Sequence, residues 1–209
     1  MNTILIDLPM PIYTPRLLIR PPQIIDAPAV NTAILESYEA LRITMPWAKT
    51  KPTLEETEIY LRQASANWIL KKDEEPYLPL LIFETRSNAF IGSIGFHHIN
   101  WEIPSVETGY WVRRSFEKQG FITEATNAIT QYAFKQLNAN RIAITCDKDN
   151  IASQKIPERL HYILEGTLKN HRKNPVTNEL SDTLVYAKYS IESLPALSVT
   201  WGGQPNVGT

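Results

Sequence analysis

A loop between a strand-like segment and a helix-like segment holds the residues with the clearest chemical potential. The segment 106–112 reads as a strand, a helix is predicted over residues 123–137, and Gly120 is the glycine of the loop between them. A loop of this kind presents backbone N–H groups to an anion. Arg113 and Lys118 add positive charge beside it. The pattern predicts a site for a phosphate-bearing ligand, although a loop with ordinary solvated charges would have the same composition.

The histidines and the cysteine do not form a metal-binding pattern. Four histidines and one cysteine stand at scattered positions, whereas structural zinc sites draw their ligands from closely spaced pairs. We therefore expect no metal. Cys146 lies on a short apolar strand and is expected to be a core residue. A Ser-His-Asp or Cys-His arrangement is not legible either.

Composition favours a single soluble domain. With 209 residues, 43% of them hydrophobic, the chain can bury a core without disulfides. We predict one domain over residues 1–190 and a C-terminal tail over 191–209, which is rich in Pro, Gly, Ser and Thr. A net charge of −1 argues against a nucleic-acid partner. The lack of a long apolar run or a basic N-terminal signal predicts a cytoplasmic protein with no membrane contact.

Hydrophobic periodicity predicts strands and helices in the order β-α-α-β-β-β-α-β-α-β-β. This order indicates an α/β (α+β) fold, with a mixed sheet of about seven strands and helices on both faces. The predicted strands are 14–20, 77–84, 90–99, 105–112, 141–146, 162–169 and 182–190, and the predicted helices are 26–41, 53–71, 123–137 and 151–160.

Five short motifs in a fixed order resemble the GNAT superfamily of N-acetyltransferases, in particular its ribosomal-protein (RimJ/RimL) type. They are TPRLLIR at 14–20, ETGYWV at 107–112, QGFITEA at 119–125, NIAS at 150–153 and LEG at 164–166. The resemblance covers residues 14–190. It implies a mostly antiparallel sheet splayed into a V, with acetyl-CoA in the cleft.

The resemblance also implies which residues hold acetyl-CoA. The pantetheine would pair with the strand before the loop, and the pyrophosphate would sit on the amides of the loop. The implied cofactor-binding residues are Trp111, Val112, Arg113, Lys118, Gln119, Gly120, Phe121, Ile122, Thr123, Asn150 and Ser153. The chain departs from the family pattern at Glu117, Lys118 and Ile122. A carboxylate at Glu117 would repel a pyrophosphate unless its side chain turned outward.

Acetyl transfer to an amine needs a deprotonated amine and a proton for the departing thiolate. The resemblance places Ser153 near the sulfur of the coenzyme, which makes it the candidate proton donor. Asn150 would then bind the pantetheine or order the loop. An equally good interpretation is that Asn150 caps the helix that contains Ser153.

Glu107 is the candidate base for the amine, acting directly or through water. A surface carboxylate is the alternative interpretation. Thr108 and Gly109 after it suggest a bulge where the sheet splays. His97 and His98 end the neighbouring strand, and strand alternation places only one of them in the cleft. With Trp47, these residues are the candidate substrate-binding set.

The resulting hypothesis is an acetyl-CoA-dependent N-acetyltransferase that uses direct attack in a ternary complex. The RimJ/RimL resemblance suggests a protein N-terminal α-amino group as the acceptor. A small amine, such as an amino acid, polyamine or aminoglycoside, is an alternative acceptor, and a non-catalytic CoA-binding module is an alternative function. The expected partners are acetyl-CoA and the acceptor, and the chain is expected to be a monomer or homodimer.

Overall fold

A computed structural model describes residues 2–71 and 76–203 of the chain. These residues form four α-helices and nine strands. The helices are α1 (Ala27–Thr44), α2 (Leu54–Leu70), α3 (Phe121–Gln136) and α4 (Ile151–Arg159). The strands are β1 (Ile12–Tyr13), β2 (Leu17–Arg20), β3 (Leu78–Glu84), β4 (Phe90–Asn100), β5 (Ser105–Val112), β6 (Arg141–Asp147), β7 (Ile163–Lys173), β8 (Leu180–Lys188) and β9 (Thr200–Trp201). Within this described part of the chain, no helix is both long and apolar enough to span a membrane.

The strands build one mixed sheet in the order β7-β8-β6-β5-β4-β3-β2-β1-β9. Every neighbouring pair is antiparallel except β5 and β6, which run parallel. The predicted mixed, mostly antiparallel fold is confirmed. The sheet has two more strands than the seven predicted, because β1 and β9 are only two residues long and show no alternation to read.

The sheet opens between β5 and β6. These strands pair through three positions only, Ser105 with Arg141, Val106 with Ile142 and Glu107 with Ala143. Beyond Glu107, β5 stays paired with β4 as far as Val112, and β6 stays paired with β8. The edge of β5 from Thr108 to Val112 therefore faces a gap instead of a neighbouring strand.

Helices cover both faces of the sheet, as predicted. Alternate residues of β3 belong to different core clusters, with Leu80 and Ile82 in one and Leu81 and Phe83 in the other. Helix α3 contributes to the first cluster and helix α1 to the second. Side chains of a strand alternate between faces, so α1 and α3 lie on opposite sides of the sheet.

The chain after β8 packs on the fold. The side chain of Asn127 on α3 donates to the carbonyl of Pro195 at 2.8 Å, and β9 pairs with β1 through Ile12 and Trp201. Leu197 and Trp201 also pack against the core. In the predicted tail, residues 191–203 thus add an edge strand, and residues 204–209 lie outside the described part of the chain.

Candidate active site

The gap between β5 and β6 leads into a cavity of about 820 Å³. Its walls come from β4, β5, β6, α1, α2, α4 and the segment after α1. It brings together seven of the predicted site residues, namely Trp47, His97, His98, Glu107, Trp111, Asn150 and Ser153. The predicted loop residues 118–123 do not line this cavity but follow β5 and begin α3.

The loop is organised around Gly120, which caps the N-terminus of α3. Its φ of +80° lies in the left-handed region that glycine adopts without strain. Helix α3 begins at Phe121, two residues earlier than predicted. The backbone N–H groups of residues 118–123 find no acceptor within the described part of the chain, whereas that of Glu124 donates to Gly120. A run of free N–H groups at a helix start fits an anionic group such as a pyrophosphate.

The side chains of the loop leave this run of amides accessible. Phe121 and Ile122 are buried in the core, so only their backbone can meet a ligand. Lys118 is exposed and adopts a left-handed φ of +60°. Glu117 lies 3.4 Å from Arg114, and this ion pair offsets the repulsion expected between Glu117 and a phosphate.

Arg113 is already engaged by the protein. Its Nε donates to Glu36 on α1 at 2.6 Å, and the other oxygen of Glu36 accepts from the backbone N–H of Ser115 at 2.9 Å. Arg113 thus ties the end of β5 to α1. The predicted contact between its guanidinium and the donor would have to be shared with this pair.

Asn150 caps α4, and Ser153 lies next to a buried tyrosine. The Asn150 side chain accepts from the backbone N–H of Ser153 at 3.1 Å, so the capping interpretation describes what Asn150 does in this structure. The Ser153 hydroxyl lies 3.3 Å from the Tyr110 hydroxyl, which also donates to the Ser153 carbonyl at 3.1 Å. Burial raises the pKa of Tyr110 above its ordinary value, which keeps the phenol protonated at neutral pH.

Glu107 lies where β5 and β6 begin to separate. One of its oxygens accepts from the Thr145 hydroxyl of β6 at 2.6 Å, and the other lies 3.2 Å from Nδ1 of His98. His97 pairs with Glu107 in the register of β4 and β5. Its ring stacks on Tyr77, with 4.5 Å between the ring centroids. Burial lowers the pKa of His97, against the opposing effect of Glu107, and so favours a neutral imidazole.

Both histidines line the cavity, which differs from the prediction that only one would. His98 has a φ of +46°, and the pairing of β4 with β5 shifts register between His97 and Asn100. This irregularity breaks the alternation that the prediction assumed. The bulge expected at Thr108 and Gly109 is absent from β5, where Gly109 pairs directly with Gly95.

The candidate groups reach the cavity from two faces of β5. Trp111 packs with the cluster that contains α1, and Tyr110 and Val112 pack with the cluster that contains α3. By alternation, Glu107 shares the face of Trp111, and Tyr110 points to the other face, where it meets Ser153. The gap thus joins a carboxylate and imidazole on one side of the sheet to a pair of hydroxyls on the other.

Comparison of the chain with known proteins identifies its family. Residues 16–163 match the family model described as the acetyltransferase (GNAT) domain. The chain belongs to the GNAT acetyltransferase family. The acyltransferase class and the family predicted from the motifs are confirmed.

Two relatives of this GNAT chain have names that refer to ribosomal acetylation. YdaF of Bacillus subtilis, named as a candidate ribosomal N-acetyltransferase, is 34% identical over 113 residues, which cover 54% of this chain and 56% of YdaF. The ribosomal-protein-serine acetyltransferase of Escherichia coli is 33% identical over 84 residues, which cover 40% of this chain and 47% of that protein. The match therefore spans about half the length of these curated relatives.

Solved structures share the fold. RimL, a ribosomal alpha-N-protein acetyltransferase solved with coenzyme A, superposes with a TM-score of 0.75 at 24% identity, over 85% of this chain and 96% of its own. The microcin self-immunity acetyltransferase MccE, solved with acetyl-CoA and AMP, gives a TM-score of 0.75 at 21% identity, over 84% and 93% of the two chains. At these identities the likeness establishes the GNAT fold.

Several residues of this GNAT site were missed by sequence reasoning. Besides Tyr110, the cavity is lined by Tyr60, Tyr77, Thr145 and Arg172. Cys146 is buried as predicted but also reaches the cavity wall, and burial raises the pKa of its thiol to about 11. Alternation along ETGYWV places Tyr110 on the opposite face of β5 from Glu107. Nothing in the sequence indicates that Ser153 lies against Tyr110. Across residues 2–71 and 76–203, no cluster of three or more His, Cys, Asp or Glu could hold a metal ion.

Proposed function

We propose that this protein transfers the acetyl group of acetyl-CoA to a primary amine by direct attack in a ternary complex. The observation that carries the proposal is the junction at the end of β5. There an unpaired strand edge lines a cavity that holds a histidine, a carboxylate and two hydroxyls, and the same strand leads into a loop with a run of free amides. This combination supplies anion binding on one side and proton transfer on the other.

The donor side would use backbone groups. The edge of β5 from Thr108 to Val112 offers strand-like hydrogen bonds to the pantetheine, and the amides of residues 118–123 offer donors to the pyrophosphate. Gly120 lets the backbone approach closely. When bound, acetyl-CoA supplies a thioester carbonyl that an amine can attack.

The acceptor side would remove a proton from the amine. An ammonium has no lone pair, so the amine must lose a proton before it reacts. His97 is the better base, because burial favours its neutral form, and the stacking on Tyr77 holds the ring in place. Glu107, held by Thr145 and close to His98, would orient the amine or accept its proton through water.

The hydroxyl pair would supply a proton to the departing sulfur. The bond from the amine nitrogen to the carbonyl carbon forms as the bond from that carbon to sulfur breaks, and the sulfur then carries negative charge. Ser153 is the proton donor in this proposal. Tyr110, protonated at neutral pH and 3.3 Å from the serine hydroxyl, supports it or replaces it.

The proposed acceptor is a protein N-terminal α-amino group. The names of two relatives support this choice, since one refers to a ribosomal N-acetyltransferase and the other to a ribosomal-protein-serine acetyltransferase. The cavity has a volume of about 820 Å³, and Trp47, with 51% of its surface exposed, lies at its wall.

A thiol-release assay with acetyl-CoA tests the proposal. Peptides with free N-termini, the same peptides blocked by formylation, and a panel of amino acids, polyamines and aminoglycosides serve as acceptors. Turnover on free peptides alone supports the proposed acceptor. Turnover on small amines alone would replace it with a small-amine acetyltransferase. Binding of CoA without turnover on any acceptor would indicate a non-catalytic module, and failure to bind CoA would sink the proposal.

A further inference from the structure

The turn between β1 and β2 reaches the phosphate-binding loop through a single arginine. Nε of Arg16 donates to Glu124 at 2.6 Å, and Nη1 of the same guanidinium donates to the backbone carbonyl of Gln119 at 3.1 Å. The guanidinium carbon of Arg16 also lies over the ring of Phe121, 4.5 Å from the ring centroid. One side chain therefore contacts the loop, the first residue of α3 and the first turn of that helix.

Glu124 is the shared acceptor of this network. Its second oxygen accepts from the Thr14 hydroxyl at 2.6 Å and from the backbone N–H of Arg16 at 3.2 Å. The Thr14 hydroxyl in turn accepts from the backbone N–H of Leu17 at 2.9 Å, which anchors the turn to β2. The Glu124 side chain is only 10% exposed, so its position is fixed by packing as well as by these bonds.

The bond from Arg16 to Gln119 sets the direction of the next amide. A trans peptide is planar, with its C=O and N–H pointing in opposite directions. Since the Gln119 carbonyl is held on the side of Arg16, the N–H of Gly120 points away from Arg16. We propose that Thr14, Arg16 and Glu124 form a clamp that aims the loop amides at the pyrophosphate of the donor, with Arg16 as its positioning residue. This inference rests on the proposed function.

The clamp needs a guanidinium. Arg16 uses two nitrogens of one rigid plane, one toward Glu124 and one toward Gln119. A lysine has a single ammonium on a flexible stem and would satisfy one partner at a time. The loop would then sample other orientations, and the ligand would have to order them when it binds.

The experiment compares two acetyl donors. Acetyl-CoA carries the pyrophosphate, and acetyl-pantetheine lacks it but presents the same thioester. In Arg16→Lys we expect kcat/KM for acetyl-CoA to fall by about tenfold, the effect of losing one charge-assisted hydrogen bond. We expect kcat/KM for acetyl-pantetheine to change less than about twofold, because no loop contact is involved.

Arg62→Lys is the matched control. Arg62 forms an ion pair of the same length, 2.6 Å, with Glu58 on the exposed side of α2, away from the loop. This variant should leave both donors unaffected. Glu124→Gln should weaken acetyl-CoA selectively as well, and combining it with Arg16→Lys should cost less than the sum of the two single changes, because both disable one network.

The outcomes separate the clamp from the proposed function. Equal losses for both donors in Arg16→Lys at an unchanged melting temperature, or no loss for acetyl-CoA, would overturn the clamp alone. A wild-type protein that uses neither donor would overturn the proposed function and the clamp with it. Melting temperatures of all variants, measured in parallel, identify an equal loss that comes from unfolding.

Discussion

The two sides of the gap beside β5 are built in different ways. The proposed donor side would use backbone amides of one continuous segment, residues 118–123, in which Gly120 has a left-handed φ. The proposed acceptor side would use side chains such as Tyr60, Tyr77 and His97, which come from α2, from the residue before β3 and from β4. A continuous backbone site tolerates side-chain changes, whereas a site assembled from several elements changes with each of them.

The largest expected effect tests whether the donor side depends on its backbone. Gly120→Val places a branched side chain at a φ of +80°, where L residues are strained, and adds bulk beside the free amides. We expect CoA binding to fall below detection by isothermal titration calorimetry.

Gly166→Val is the matched control for Gly120→Val. A side chain at Gly166 would meet nothing within 4 Å, and the φ of this residue is not in the left-handed region. CoA affinity should remain that of the wild type. Normal CoA affinity in Gly120→Val would show that the donor does not depend on this loop.

A second prediction concerns the hydroxyl pair that stands between the two sides. Ser153→Ala should lower kcat by about a hundredfold, the low end of the contribution of a general acid. The affinity for CoA should stay unchanged, because the backbone contacts of the donor remain. Tyr110→Phe is the companion variant. If Tyr110→Phe loses all activity and Ser153→Ala loses little, the tyrosine and not the serine is the proton donor.

A third prediction uses pH to identify the base on the acceptor side. A base works in its neutral form, and burial lowers the pKa of His97 below its ordinary value of 6.5. The activity of the wild type should therefore rise with pH through a value below 6.5 and then level off. In His97→Asn the rise of kcat/KM with pH in this acidic range should disappear. The value of kcat/KM at higher pH should fall by about a hundredfold.

Two further variants sharpen the assignment of the base. His161→Asn is the control, since His161 is exposed and has a φ of +55° that asparagine tolerates. It should keep the wild-type profile. If the rise of kcat/KM with pH remains in His97→Asn but moves to another pH in Glu107→Gln, the base is Glu107.

The smallest expected effect is at the mouth of the acceptor side. Trp47 is half exposed and its ring lies 6.2 Å from that of Trp111. In Trp47→Ala we expect the KM for the acceptor to rise about fivefold, because one aromatic contact is lost. The KM for acetyl-CoA should not move. A change in the KM for acetyl-CoA alone would show that Trp47 belongs to the donor side.

The sequence predicts the local structure of the proposed donor side better than that of the proposed acceptor side for a physical reason. Gly120 and the helix after it are local features, so their spacing in the chain shows their arrangement in space. The stacking of Tyr77 on His97 depends on the register of β3 against β4, which pairs Leu78 with Phe96. No local pattern encodes that register.

The remaining differences have the same origin. The positive φ of His98 interrupts an alternation that the residue types do not reveal. The contact between Tyr110 and Ser153 joins residues 43 positions apart. Strands β1 and β9 are too short for periodicity, and they exist because their partners hold them.

The pairing of Ile12 with Trp201 has a consequence for the order of folding. During vectorial synthesis β1 emerges early, but its outer edge gains a partner only after Trp201 has left the ribosome. Until then the nascent domain presents an unpaired edge of the kind that recruits strands from other chains. The contact joins residues 189 positions apart in the chain, although once β8 is in place only the segment between β8 and β9 remains to be ordered. The last stretch of the described fold to be translated therefore covers the edge of β1 and becomes the edge strand in its place.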